Sequence, residues 1–131
     1  MPRFVIADHD ARFRDECRRS LAARGYQVKV AADGQQCMQQ CQAKSPTVLL
    51  LDAELFWDRD VGVLDWLRQQ ADPNLVTVLL VGQQEDRPVP ARLRHVVSAK
   101  VARPESSEEF DRFLSRLEDE VWWAQSGQYL Y

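Results

Sequence analysis

The segment Pro46-Thr47-Val48-Leu49-Leu50-Leu51-Asp52 decides the fold, because it carries four consecutive apolar residues that end in a carboxylate. A continuous apolar run of this length, with Ser45-Pro46 before it and a polar loop after it, indicates a strand buried on both faces. In open α/β sheets, ligands bind at the carboxyl ends of such strands. Asp52 is therefore predicted to lie at the functional edge of the sheet.

The N-terminal segment shows the same pattern. Arg3-Phe4-Val5-Ile6-Ala7 is mainly apolar and runs directly into Asp8-His9-Asp10. If the two strands are neighbours, their carboxyl ends meet at one edge of the sheet. Asp8, Asp10 and Asp52 would then share one pocket, which is the candidate site.

The rest of the chain alternates buried strands with amphipathic helices. Strands are predicted at 3–7, 27–31, 47–51, 76–81 and within 96–102, and helices at 11–24, 35–44, 62–71, 91–95 and 106–124. This order predicts an α/β fold, a (βα)5 doubly wound parallel five-stranded sheet with helices on both faces. A strand order of 2-1-3-4-5 would place strands one and three side by side.

Helical spacing also predicts which residues are buried and where helices begin and end. Asp10 and either Ser106 or Ser107 are suited to cap helices, and Gly25 to end one. The predicted buried faces consist of Phe13, Cys17 and Leu21; Cys37, Met38 and Cys41; Val63, Leu64, Leu67 and Ala71; and Phe110, Phe113, Leu114, Leu117 and Val121.

Composition limits the possible functions. The 131 residues fit one domain, and a net charge of −3 argues against a nucleic-acid binder. No apolar run approaches the roughly 20 residues of a membrane span, and Asp8 and Asp10 interrupt any signal-peptide core, so a cytoplasmic location is expected. The odd number of cysteines, all within helical patterns, favours reduced and buried thiols over disulfides or a metal site.

Several of these motifs together make residues 3–120 resemble the receiver domain of two-component response regulators. The resemblance rests on Val5-Ile6-Ala7-Asp8-His9-Asp10, on Leu49-Leu50-Leu51-Asp52 and on Arg103-Pro104, where the family has Lys-Pro. It rests as well on Gly25-Tyr26-Gln27-Val28 and Ala32-Asp33-Gly34 in the second βα unit.

The resemblance implies a chemistry for the predicted site. Asp52 matches the carboxylate that accepts a phosphoryl group from the phosphohistidine of a partner kinase, and Arg103 matches the phosphate-binding lysine. A Mg²⁺ ion would be held by Asp8, by Asp52 and by the backbone carbonyl of Glu54. Lys100 is a rival for the phosphate-binding role if the register of the fifth strand differs.

The chain departs from the family pattern at several of these positions. His9 stands where the family has its second acid, and a neutral imidazole is a poor Mg²⁺ ligand. Asp10 either substitutes for that acid or caps the following helix. Val81, followed by Gly82, stands where the family has a Ser or Thr, and Lys100 replaces the switch aromatic.

These departures favour an atypical receiver, a protein-interaction module with impaired or unconventional phosphorylation at Asp52, and not an enzyme. The alternative is a functional Mg²⁺-dependent phosphoacceptor switch. A small-ligand binder or enzyme on the same flavodoxin-like architecture is a third possibility. The expected partner is a histidine kinase, a phosphotransfer protein or another signalling protein.

The C-terminal residues extend beyond the family pattern. We predict a receiver-like domain over 1–121 and an aromatic extension over 122–131, which contains Trp122-Trp123 and Tyr129-Leu130-Tyr131. Adjacent tryptophans point to different sides of a helix. The extension either folds back over the domain or forms a surface for a homodimer or another partner.

Overall fold

Five parallel strands form one sheet in the order β2-β1-β3-β4-β5, which confirms the predicted topology. The structure, a computed structural model, describes residues 3–42, 47–55, 62–82 and 88–126, with side chains through 119. The strands are β1 (Arg3–Ala7), β2 (Val28–Ala31), β3 (Thr47–Asp52), β4 (Leu75–Val81) and β5 (Ala99–Ala102). The helices are α1 (Ala11–Ala23), α2 (Gly34–Gln40), α3 (Gly62–Gln70) and α4 (Ser107–Ser126), and a 3₁₀ helix spans Ala91–Val96.

Helices cover both faces of the sheet, as predicted. Alternate residues of each central strand enter different cores; Val5 and Leu49 pack toward α2 and α3, whereas Ile6 and Leu50 pack toward α1 and α4. Every residue of β1 and β3 is buried. The apolar run at 48–51 therefore fills two cores at once, which explains why it has no alternating polar positions.

Strand register brings the ends of four strands to one edge. Ala7 pairs with Leu51, so Asp8 and Asp52 follow at the same level. Ala102 pairs with Val81, and the backbone N–H of Arg103 donates to the carbonyl of Val81 at 2.9 Å. Arg103 thus leaves β5 at the same edge that Asp8 and Asp52 occupy.

Most predicted helix ends and buried faces are confirmed. Asp10 accepts hydrogen bonds from the N–H groups of Arg12 and Phe13, and the hydroxyl of Ser106 accepts one from the N–H of Glu109. Gly25 has a φ of +89° just after α1, a conformation that glycine adopts without strain. The predicted faces of α1 and α3 are buried at Phe13, Cys17, Leu21, Val63, Leu64 and Leu67, and Phe110, Phe113, Leu114 and Leu117 are buried on α4.

Two helix predictions need correction. Ala71 was predicted to be buried at the end of the third helix, but it is exposed and has a φ of 47°. This left-handed conformation ends α3 at Gln70 and turns the chain away from the core. The second helix is also shorter than 35–44, because it ends at Gln40, where the Arg3 guanidinium binds the Gln40 carbonyl.

The C-terminal helix continues to Ser126, past the division predicted at residue 121. The side chains of Val121, Trp122 and Trp123 lie outside the described residues, as does all of 127–131. The proposed roles of the aromatic extension therefore stay predictions. No helix in the described ranges has the length and apolar character needed to cross a bilayer.

Candidate functional site

Two carboxylates lie side by side at the carboxyl edge of the sheet. Asp8 follows β1 and Asp52 ends β3, and both residues are almost fully buried, at 0% and 2% exposure. Burying two charges so close together is costly unless each has a partner of opposite charge. The surrounding residues supply these partners.

His9 is the partner of Asp52. Its Nδ1 atom contacts Oδ2 of Asp52, and its backbone N–H lies 3.4 Å from the same oxygen. Its other ring nitrogen, Nε2, lies 3.2 Å from a carboxylate oxygen of Glu54. The imidazole therefore bridges a buried carboxylate and an exposed one, and it covers one oxygen of Asp52.

Arg103 is the partner of Asp8. Its Nε donates to Oδ2 of Asp8 at 3.2 Å and its Nη2 donates to Oδ1 at 3.0 Å, which makes a bidentate pair. The guanidinium also lies 4.0 Å from the centre of the Phe13 ring, within the range of a cation–π interaction. Asp8 and Phe13 thus both contact the Arg103 guanidinium, which points toward a carboxylate of its own chain.

The electrostatics of the two pairs differ. Burial raises the pKa of Asp8, and the charge of Asp52 adds to this effect, while the Arg103 hydrogen bonds oppose it. The hydrogen bond to Asp52 raises the pKa of His9, and the charges of Asp52, Asp8 and Glu54 raise it further against the effect of burial. The site therefore favours the protonated form of His9 more than water does.

A metal ion could draw on three ligand atoms here. One atom each from Asp8, His9 and Asp52 lie within 4.8 Å of one another. Mg²⁺ prefers an octahedral shell of oxygen atoms, and a raised His9 pKa favours a protonated ring that offers no lone pair. Both oxygens of Asp8 accept from Arg103, and His9 covers one oxygen of Asp52. In this arrangement the donor set fits Mg²⁺ poorly.

The two remaining acids of the predicted set lie at the rim. Asp10 caps α1 through Oδ1, and its Oδ2 lies 3.8 Å from Nη2 of Arg103. Glu54 directs its side chain to His9, and its backbone N–H donates to Oδ1 of Asp52 at 3.0 Å. Of the two roles considered for Asp10, the structure shows the helix cap.

The three positions that we predicted to be altered switch positions lie at the end of β4, just after it, and on β5. Val81 ends β4 beside Ala102. At Gly82 the described residues leave room for a side chain, because a Cβ added there would meet none of their atoms within 4 Å. Lys100 pairs with Leu79, three residues before Arg103, and is exposed. The register of β5 therefore directs Arg103 to Asp8 and places Lys100 earlier along the strand.

The sequence pattern did not predict two contacts of this site. Phe13 was assigned to the core, but its ring also supports Arg103. Arg14 was not predicted as a site residue, but its Nη1 donates to the backbone carbonyl of Asp8 at 2.7 Å. The position of Phe13 in the first turn of α1, close to the strand ends, was the available signal for the first contact; none was available for the second.

Comparison with protein-family models assigns most of the chain to one family. The family model of the response regulator receiver domain matches residues 4–111. A comparison with curated protein sequences finds no similar protein.

Solved structures with the same fold include two chains that this chain matches over nearly their whole length. A CheY-like receiver domain protein from Methanospirillum hungatei JF-1 is 18% identical, with a TM-score of 0.71, and the match covers 91% of this chain and 98% of that one. The chemotaxis response regulator CheY4 of Vibrio cholerae is 21% identical, with a TM-score of 0.65 and coverages of 89% and 98%.

A longer protein matches as well. NtrX from Brucella abortus is 17% identical, with a TM-score of 0.73 over 100% of this chain, which spans only 30% of the NtrX chain. At these identities the structural matches show the fold alone.

Proposed function

Because this chain belongs to the response regulator receiver domain family of two-component signalling, we propose that it is an atypical receiver that works as a protein-interaction module, with impaired or unconventional phosphorylation at Asp52. Receiver domains are generally signalling modules without enzymatic activity, and they bind histidine kinases or phosphotransfer proteins. The proposal concerns how this member departs from that behaviour. We expect it to act in the cytoplasm.

One observation carries the proposal: the buried carboxylates of Asp8 and Asp52 are each already paired with a basic side chain of the same chain. His9 lies against Asp52, and Arg103 binds Asp8 through two hydrogen bonds. In the phosphorylation chemistry that the family suggests, Mg²⁺ and a free basic side chain neutralise the incoming phosphoryl group. Here the basic side chains bind the carboxylates themselves.

The accessibility of Asp52 points the same way. An attacking carboxylate needs a free oxygen that approaches the phosphorus in line. In the structure, Oδ2 of Asp52 contacts His9 and Oδ1 accepts the N–H of Glu54. The imidazole has to move away before Oδ2 can react. We therefore propose that Asp52 reacts slowly and that Mg²⁺ binds weakly.

The β4 end of the pocket supports a loss of the phosphorylation switch. Val81 has no hydroxyl that could hydrogen-bond to a phosphoryl oxygen and follow it. Even a phosphorylated Asp52 would therefore lack the response that the family pattern implies. A partner would therefore bind this domain whether or not Asp52 is phosphorylated.

The alternative proposal is a functional Mg²⁺-dependent phosphoacceptor switch. It is favoured by the presence of Asp52 at the carboxyl end of β3, next to Asp8, with three ligand atoms clustered within 4.8 Å. In this case His9 and Arg103 would release the carboxylates when Mg²⁺ and the phosphodonor arrive.

The test is intact-mass analysis after incubation with Mg²⁺ and acetyl phosphate. The native chain is compared with Asp52→Asn, which removes the acceptor, and with His9→Asp, which supplies the missing acid. We expect little adduct on the native chain, a clear adduct on His9→Asp and none on Asp52→Asn. Calorimetry is expected to show Mg²⁺ affinity rising on the order of 10–100-fold in His9→Asp, as for other changes around a metal site.

An adduct on the native chain that matches an ordinary receiver treated in parallel, and that Asp52→Asn abolishes, would refute impaired phosphorylation. It would support the alternative switch.

A further inference from the structure

A second group of reactive side chains lies at the opposite, amino-terminal edge of the sheet. Cys37 lies on α2 and Cys41 caps its C-terminal end one turn later, and both are buried in the core beneath α2 and α3. A cavity of about 400 Å³ opens at this point, and its lining includes Cys41, Trp66, Asp72 and Leu75. Of the two cysteines, Cys41 lines the cavity.

We propose that Cys41 is a thiol-modification site that exchanges with low-molecular-weight disulfides, with Cys37 as its hydrogen-bond donor. This role is independent of the proposed function at Asp52. Three observations support it: Cys37 lies one helical turn before Cys41, the buried Arg3 guanidinium binds the carbonyl of Gln40 next to Cys41, and the cavity gives access.

The local charge favours a thiolate at Cys41. The Cys37 hydrogen bond lowers the pKa of the Cys41 thiol below its usual range, and the charge of Arg3 lowers it further, against burial and the charge of Asp72. Arg3 is itself buried and fixed, since its Nε donates to Thr47 Oγ1 at 3.1 Å and its guanidinium binds the Gln40 carbonyl. Reactive cysteines are found in electropositive surroundings of this kind.

The third cysteine provides an internal contrast. Cys17 is buried between α1 and the sheet, and burial raises the pKa of its thiol. Cys17 also lines a cavity, of about 370 Å³, but only 1% of its surface is exposed, against 6% for Cys41. The same chain thus holds one thiol in a setting that favours reaction and one in a setting that suppresses it.

The reaction is a thiol–disulfide exchange. The Cys41 thiolate attacks one sulfur of the small disulfide, a new bond forms between that sulfur and Cys41, and the original sulfur–sulfur bond breaks. The departing thiolate takes up the proton that Cys41 released. Cys41 is oxidised to a mixed disulfide while half of the small disulfide is reduced to a thiol.

Helix geometry favours a mixed disulfide over a bond between the two cysteines. Residues four apart on a helix have Cβ atoms about 5–6 Å apart, whereas a disulfide needs roughly 3.5–4.5 Å. The adduct would instead extend into the cavity where α2 and α3 end. It would act on the amino-terminal edge of the sheet, away from the carboxylate pair.

The experiment treats the folded native chain with oxidised glutathione and maps the modified cysteine by peptide mass analysis. We expect the glutathione adduct at Cys41 to form at least about tenfold faster than at Cys17. Modification of both cysteines at the same rate would show that reaction follows global unfolding, and this would overturn the proposal. A native chain without adduct, under conditions that modify the unfolded chain, would overturn it too.

Variants of Cys37 test the role of the donor. Cys37→Ala removes the hydrogen bond and is expected to slow modification of Cys41, whereas Cys37→Ser keeps a donor and is expected to restore much of the rate. A rate unchanged in Cys37→Ala, or a disulfide between Cys37 and Cys41 in the native chain, would overturn the role assigned to Cys37. Circular dichroism verifies that each variant is folded, and the comparison of Cys41 with Cys17 in the native chain needs no variant.

Discussion

The two flanks of the carboxylate pocket differ in what they offer a phosphoryl group. On the β1–β3 flank, Asp8 and Asp52 are buried side by side at the carboxyl ends of paired strands. On the β4–β5 flank, Val81 has no hydroxyl, and Arg103 is bound to Asp8. The backbone framework is the same on both flanks, so the difference lies in a few side chains. A receiver fold can therefore persist while its charges are satisfied internally.

The largest expected effect comes from removing Arg103. Arg103→Ala leaves the fully buried Asp8 without its bidentate partner, and breaking a buried ion pair in this way costs about 3–5 kcal/mol. We expect a loss of unfolding free energy near the lower end of that range, because Arg103 itself is 25% exposed. Urea denaturation measures the change.

Two variants sharpen the interpretation of this loss. Arg92→Ala removes an exposed arginine that pairs with Asp65 across the surface, and we expect no resolvable change. Combining Arg103→Ala with Asp8→Asn should recover part of the stability, because the unpaired charge is gone. If Arg103→Ala lost as little unfolding free energy as Arg92→Ala, the Arg103–Asp8 pair would not connect the two flanks as the structure indicates.

A smaller loss is expected from His9→Ala. This variant removes the imidazole from the Asp52 carboxylate, and a hydrogen bond to a charged group contributes about 1.5–3 kcal/mol. Because the His9 side chain is 39% exposed, we expect about 1.5 kcal/mol at pH 6, measured by urea denaturation. Added Mg²⁺ should restore more stability to His9→Ala than to the native chain, since the ion can then reach Asp52. Equal effects of Mg²⁺ on both chains would contradict the pairing.

The sheet could be predicted from the sequence because burial leaves a local signature. The run at 48–51 is apolar at every position, and the structure buries it on both faces of β3. Caps are local too, since Asp10 binds N–H groups only two and three residues away. The carboxyl edge of the sheet, and the presence of Asp8 and Asp52 there, follow from topology.

The pairing of the site residues could not be predicted. His9 and Asp52 are 43 residues apart in sequence, and Arg103 and Asp8 are 95 apart. Whether a basic side chain turns toward a carboxylate or toward solvent depends on packing that sequence spacing does not record. The left-handed φ of Ala71 was missed for a related reason, because the helical period continues through a residue that the backbone turns outward.

Variants of Asp10 test whether its carboxylate caps α1 or binds Mg²⁺. Asp10→Ala removes the acceptor for two N–H groups at the start of α1 and is expected to cost about 1 kcal/mol of unfolding free energy. Asp10→Ser keeps a capping oxygen and should cost only a fraction of that. Thermal denaturation with and without Mg²⁺ separates the roles. If Asp10 only caps, Asp10→Ser leaves the Mg²⁺ response unchanged; a lost response would make it a ligand.

The smallest effect is the pH dependence of the His9–Asp52 pair. The pKa of His9 is raised above its ordinary value of 6.5, chiefly by the Asp52 hydrogen bond. Below pH 6.5 the ring is protonated in both the folded and the unfolded chain, so the stabilisation is fully present there. As pH rises through the higher folded pKa, the folded chain also loses the proton and this contribution disappears.

The measurement is the difference in unfolding free energy between the native chain and His9→Gln, taken from pH 6 to pH 9. We expect the difference to shrink as pH rises, by less than the full cost of His9→Ala, because a neutral imidazole still donates one hydrogen bond. In an Asp52→Asn background the main cause of the raised pKa is gone, so the slope should flatten. A difference that stays constant or grows with pH would mean that His9 does not hold its proton against Asp52, and that the β1–β3 flank is more open to a phosphodonor than its pairing indicates.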